Sequence, residues 1–292
     1  MLILAYPQPG DECLIATGPI REAIVSWNAR ELEGALELRV NARDGRTSAW
    51  LPYVAFDGER RASLDGGDTF VRLETDVLRS DVDLVAVGVR SRGPLDALFL
   101  STPDYGASSS IVALPALELA VPPASQYHAA RPSERNWCAP ASLAMLLAYR
   151  GYPLDLPIVA REVFDARYGG TGNWAFNAAF AARLGFRAAA LHLRDLAHAH
   201  AFLADDIPLA LSISWQPGEL AGAPLERSDG HVVVLRGIDE NGDALVNDPA
   251  HPIAAVVYPR GAFERAWLGH GGIAIAVAPA PLGDTLVRLA NA

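Results

Sequence analysis

The sequence predicts an α+β protein in two units: an antiparallel β-sandwich over residues 1–118, then a mixed helix-and-sheet unit over 119–292. Three observations carry this expectation. The first unit is built from short apolar runs separated by Gly and Asp turns, without a helical segment. The stretch from Leu119 to Gln126 contains Pro122 and Pro123, which hold a junction extended. After it, helix-forming segments come first and apolar strands later. A chain of 292 residues is long for one domain and comfortable for two.

In the first unit, Leu36, Leu38, Val40 and Ala42 alternate with Glu37, Arg39, Asn41 and Arg43, the period of a half-buried strand. Asp44-Gly45 turns the chain, and Ser48–Phe56 continues it with aromatic and β-branched residues. Further strands are expected at Phe70–Leu78, Leu84–Arg90 and Ala97–Leu100. Turns at Asp57-Gly58, Asp65-Gly66-Gly67-Asp68 and Arg92-Gly93-Pro94 punctuate them. Trp27, Trp50, Tyr53 and Phe56 suit a ligand-stacking face or a sandwich core, and core filling is the commoner use.

In the second unit, Ala139–Arg150 reads as a helix with Pro140 in its first turn and Gly151 as its terminator. Asp155–Ala166, Trp174–Leu184 and Asp195–Ala204 read as further helices. Strands follow at Pro208–Ser214, His231–Ile238, Ala244–Asp248 and Ile253–Tyr258, then a short helix at Gly261–Trp267 and a strand at Ile273–Val277.

Composition excludes several classes of function. A net charge of −10 without a basic run argues against a nucleic-acid partner and against attachment to an anionic membrane. The apolar stretches are strand-length, so no membrane span is expected. The N-terminus, Met1-Leu-Ile-Leu-Ala-Tyr-Pro, has no basic region or small-residue cleavage site. No signal peptide is expected, and a cytoplasmic location is the default. Two cysteines, Cys13 and Cys138, make no disulfide framework. The histidines stand at 128, 192, 198, 200, 231, 251 and 270, and the two-residue spacing of His198 and His200 splits them between helix faces. Neither a metal site nor a cofactor is expected.

Cys138 opens a helix, where unpaired N–H groups and the helix dipole favour a thiolate. A nucleophilic thiolate needs a base, and the base needs an orienting group. Asp229-Gly230-His231 starts an apolar strand, Asp239-Glu240-Asn241-Gly242-Asp243 is a hairpin turn, and the return strand ends at Asn247-Asp248-Pro249. Counting outward from the turn sets His231 opposite residues 248–252, so one hairpin delivers an imidazole and a carboxylate together. His251 is a competing base in the following loop. The Cys138 N–H and the Gln126 side chain are candidate donors to an oxyanion. Trp137 and Trp174 suit a substrate-binding cleft wall and core packing equally.

Gln126 followed by Asn136-Trp137-Cys138-Ala139-Pro140-Ala141-Ser142-Leu143-Ala144-Met145 resembles the active-site entry of papain-like cysteine peptidases of the bacteriocin-processing, double-glycine leader type. The likeness continues through Gly172-Asn173-Trp174-Ala175-Phe176-Asn177, Ile207-Pro208-Leu209, Gly230-His231-Val232-Val233-Val234 and Val246-Asn247-Asp248-Pro249-Ala250, about residues 119–280 in all. It implies a papain-like domain over 119–292 in a stand-alone form with an N-terminal β domain. It further implies a Cys138 nucleophile, a His231 base, an Asp248 orienter, Gln126 in the oxyanion hole, and a peptide or protein substrate. The insertion Tyr127–Arg135 lengthens the path from Gln126 to Cys138. The same residues also suit acyl transfer of the transglutaminase kind, or a module that binds peptide without cleaving it.

Overall fold

Strand pairing sorts the chain into two antiparallel sheets, accompanied by six α-helices among the described residues. The computed structural model describes residues 1–6, 12–30, 34–57, 60–104, 112–129, 131 and 136–292. Gly58 of the Asp57-Gly58 turn, and positions 130 and 132–135 of the insertion, lie outside the described residues.

The first sheet contains β1 (Leu2–Ala5), β2 (Glu12–Asn28), β3 (Gly34–Ala42), β4 (Leu51–Asp57), β5 (Arg60–Ser63), β6 (Gly67–Asp68), β7 (Val71–Glu74), β8 (Val77–Ser91) and β9 (Ala97–Ser101). Its order is β1-β9-β2-β8-β3-β4-β5, with β7 added to β8 and β6 to β7. The alternation read at 36–42 buries Leu36, Leu38, Val40 and Ala42. Trp27, Tyr53 and Phe56 fill the core, while Trp50 lies under the guanidinium groups of Arg39 and Arg90, 4.8 and 4.4 Å from its ring.

The expected single strand at 70–78 is instead two. It breaks at Thr75-Asp76, a two-residue turn between β7 and β8, and β8 then runs on to Ser91. Local sequence hides this turn, because Thr75 takes φ +58°, a left-handed backbone that normally calls for Gly. Holding a β-branched residue there costs about 1–3 kcal/mol. Tertiary bonds offset that cost: the Tyr53 hydroxyl bridges the carbonyls of Val25 and Asp76 at 2.8 and 3.0 Å.

The second sheet contains β10 (Leu117–Glu118), β11 (Phe186–His192), β12 (Leu209–Trp215), β13 (Ser228–Ile238), β14 (Ala244–Asn247), β15 (Ala255–Tyr258) and β16 (Ile273–Pro279). Its order is β11-β16-β12-β13-β14-β15, with β10 on β13. The helices are α1 (Cys138–Tyr149), α2 (Leu156–Glu162), α3 (Trp174–Arg183), α4 (Leu196–Ala204), α5 (Arg260–Leu268) and α6 (Gly283–Ala290). No described helix is long and apolar enough to cross a membrane. Strand β11 and helix α6 fall where no element was expected. The run Phe186-Arg-Ala-Ala-Ala-Leu-His192 is alanine-rich and, Phe186 apart, carries little strand propensity of its own. Pairing with β16 along its whole length imposes the extended form.

Residues 139–147 of α1 are buried on every side, so α1 is a central helix and its first residue is held among packed elements. Helix α3 stands between the two sheets. Its Ala178, Phe180 and Ala181 join the core of the second sheet, while Ala175, Phe176 and Ala179 join that of the first. The Phe176 ring lies 5.9 Å from both Trp27 and Phe56. Polar bonds add to this seam: Asn28 exchanges side-chain bonds with the backbone of Ala188, and the Asp165 carboxylate accepts from the Ser63 N–H at 3.0 Å.

Candidate active site

Cys138 is the first residue of α1, and the Ala139 N–H donates to its sulfur. The helix is tied to β13 by the Ser142 hydroxyl, which donates to the Val232 carbonyl at 2.9 Å. That bond fixes the helix mouth one residue along the strand from His231. The His231 ring lies beside the Cys138 thiol, and each favours the charged form of the other. Its Nε2 lies 2.7 Å from Asp248 Oδ1, which leaves Nδ1 as the nitrogen on the sulfur side.

The hairpin achieves this by a diagonal contact. β13 and β14 pair Val234 with Asn247, and a bulge at Leu235/Gly237 shifts the register nearer the turn. Extending the Val234 pairing sets His231 across from position 250, with Asp248 its diagonal neighbour on the same face. The Asp248 carboxylate is fully buried and accepts three bonds: His231 Nε2, the Ala250 N–H at 2.9 Å, and the Tyr258 hydroxyl at 2.7 Å. Trp215 packs edge-on against the imidazole, with ring centroids 5.8 Å apart.

Burial opposes charge on all three groups, and their mutual contacts more than offset it. For Cys138, burial pushes the thiol up, but the His231 hydrogen bond and charge, with the Val232 and Ala139 N–H groups, bring it below its ordinary value. Burial likewise opposes the His231 cation, yet the bonds to Asp248 and Cys138 push it up to about 10. Asp248 is desolvated, but His231 and Tyr258 hold it below the usual carboxylate range. Thiolate and imidazolium therefore stabilise one another in the pair. Cys13, by contrast, is raised by burial with no opposing partner.

Cys138 and His231 open into a cleft of about 710 Å³ that Gln126 and Trp174 also line. Gln126 is buried, and its N–H donates to the Pro249 carbonyl at 2.9 Å, just past Asp248. Trp137 sits in a neighbouring cavity beside Arg61 and Phe164, half-buried. His251 is engaged in its own loop, where its Nδ1 accepts from the Ile253 N–H at 3.2 Å. His198 and His200 bond separately to the carbonyls of Leu289 and Pro115. No cluster of metal-ligating side chains occurs among the described residues.

Several residues of the site escape sequence reasoning. Tyr258 and Trp215 read as ordinary strand residues, and only the fold turns them toward Asp248 and His231. Tyr168 and His270 line the cleft from loops, and Glu74, Thr75, Asp76 and Val77 reach it from the first sheet. Asp76 is buried, and burial pushes its carboxyl up to about 7 despite N–H bonds from Trp174 and Ala175.

The model of the Peptidase_C39 like family matches residues 118–275. No curated protein matches the chain. Among solved structures, the chain is similar to a protein described as a C39-like peptidase from Bacillus anthracis, at 20% identity and a TM-score of 0.44, covering 56% of this chain and 98% of that one. It is also similar to a double glycine motif protease from an AMS/PCAT transporter, solved in complex with the leader peptide, at 23% identity and a TM-score of 0.39, covering 57% and 99%.

Proposed function

The chain belongs to the Peptidase_C39 like family, and from that premise we propose that it is a cysteine peptidase whose chemistry is carried by Cys138, His231 and Asp248. The observation that carries the reading is the imidazole set between the thiol, whose charge it stabilises, and a buried carboxylate 2.7 Å from its Nε2, with the sulfur end open to a cleft.

The Cys138 thiolate attacks the carbonyl carbon of a peptide bond, and negative charge moves to the carbonyl oxygen. The Cys138 N–H and the Gln126 side chain supply donors to that oxygen. His231, already protonated, gives its proton to the leaving nitrogen as the C–N bond breaks, which leaves a thioester on Cys138. Water then attacks the thioester while His231 takes its proton, and departure of the sulfur restores the thiolate–imidazolium pair. Asp248 stays ionised throughout and fixes the imidazole so that Nδ1 faces the sulfur. Tyr258 holds the second carboxylate oxygen, and Trp215 keeps water from that side of the ring.

Residues 119–292 form the peptidase domain in this reading, and residues 1–118 an accessory domain that closes as a β-sandwich around Trp27, Tyr53 and Phe56. Trp174 forms a substrate-binding wall of the cleft, and Trp137 a substrate-binding wall of the cavity next to it. The substrate is a peptide or protein that enters the cleft of about 710 Å³ beside Cys138.

The test is cleavage of an internally quenched peptide library by the full chain. Wild type is expected to release product, and Cys138→Ala to release none at an unchanged melting temperature. Equal product from both forms would remove Cys138 from the chemistry.

A further inference from the structure

The turn joining β7 to β8 belongs to the first sheet, yet it walls the cleft that holds Cys138: Glu74, Thr75, Asp76 and Val77 all face it. Past Val77 lies a second cavity of about 570 Å³. Val77, Trp174 and His270 line both spaces, and the strip of surface that they share is the neck. The surface of the neck is uncharged. It consists of an aliphatic side chain, an indole, and an imidazole that burial holds below its usual pKa, the two rings meeting edge to face at 6.2 Å. Beyond the neck the second cavity carries both signs, Glu22 and Asp104 with Arg79 and Arg194.

The turn is held in a disfavoured shape from several directions. Thr75 keeps φ +58° although glycine would form the turn without strain. The Asp76 carboxylate accepts the Trp174 N–H at 2.6 Å, pinning the turn to the start of α3. The Asp76 carbonyl accepts from the Tyr53 hydroxyl. Glu74 is gripped by Arg72 at 2.7 Å and Arg79 at 2.9 Å. A disfavoured backbone fixed by buried bonds at the rim of a cleft is a recurrent mark of ligand clamps.

Resting on the peptidase reading, we propose that this turn is a specificity element contributed by the first sheet. Thr75 and Val77 form one side, and Trp174 and His270 the other, of a subsite for an apolar side chain of the peptide flanking the bond that Cys138 attacks. The peptide continues through the neck into the mixed-charge cavity. The Asp76 carboxylate sets the turn against α3, and so sets the width of the subsite.

The full chain is assayed against an internally quenched library in which each peptide position is varied in turn. Thr75→Gly removes the methyl and hydroxyl while keeping the backbone shape, so its melting temperature is expected to hold or rise. Its preference for apolar over charged residues at one position is expected to fall about tenfold, mainly through KM, with kcat on the best peptides retained. An unaltered preference profile would overturn the proposal. A second readout needs no turnover: Glu74→p-benzoylphenylalanine in the Cys138→Ala form, irradiated with the same library. Capture of peptides with an apolar residue at one fixed position supports the proposal, and capture of none, or of peptides without such a bias, overturns it. A wild type that cleaves nothing, beside a biased capture, retires the peptidase reading and leaves the turn's role standing.

Discussion

The Asp248 carboxylate, with its three donors, settles how His231 behaves, so substitutions there separate charge from geometry. Asp248→Asn keeps an acceptor for Nε2, and the Tyr258 hydroxyl can turn to accept from the new amide. A loss of about tenfold or less in kcat/KM is expected, against about a hundredfold or more for Asp248→Ala. The pH profile carries the sign. Activity is expected between the lowered Cys138 thiol and the raised His231 imidazolium. It is lost as pH falls through thiolate protonation and as pH rises through about 10. Removing the Asp248 charge weakens the cation, so the alkaline limb of Asp248→Asn is expected at lower pH than that of wild type. Tyr258→Phe leaves the buried Oδ2 short of a donor and should cost about 2 kcal/mol in a denaturant titration. Cys138, His231 and Asp248 were legible because a helix start and a hairpin are local features. Tyr258 and Trp215 were not, because nothing in a strand's own pattern says which distant side chain its face will meet.

Two turns mark the limit of reading at the level of elements. Asp239-Glu240-Asn241-Gly242-Asp243 announces itself, since Gly242 takes φ +86° and Asp239 Oδ1 accepts from the N–H groups of Asn241 and Asp243. Gly242→Ala meets open space, so its cost is purely one of backbone, about 1 kcal/mol by thermal or chemical unfolding, with the peptide preference unchanged. Thr75-Asp76 gives no such sign, because its shape is imposed by Tyr53 and by α3 rather than by its own residues. The long strands β2 and β8 are masked for a related reason. Gly18-Pro19 and the bulges near Ile20 interrupt the alternation that would have revealed β2.

Across the whole molecule, the two sheets share α3 and a buried polar seam, so the unit that folds is expected to span both. A single calorimetric transition with equal van't Hoff and calorimetric enthalpies is expected, and two separated transitions would count against a shared core. Phe176→Ala removes a ring that packs on Trp27 and Phe56, and about 3–5 kcal/mol should be lost from that one transition. That the first half is built of strands and the second mixes helices with strands could be read from periodicity. The interlock could not, because Asn28, Asp76 and Asp165 look like turn residues until their partners from the other half are in place. The claim beneath all of these is that Cys138 is an activated thiolate. Alkylation by iodoacetamide, mapped by mass spectrometry on the native chain as a function of pH, tests it most directly. Rapid labelling of Cys138 that persists below the pH at which an ordinary thiol protonates is expected, with Cys13 left unmodified. Labelling of Cys13 with Cys138 inert, or labelling of Cys138 only above pH ~8.5, where a free thiol ionises, would contradict it.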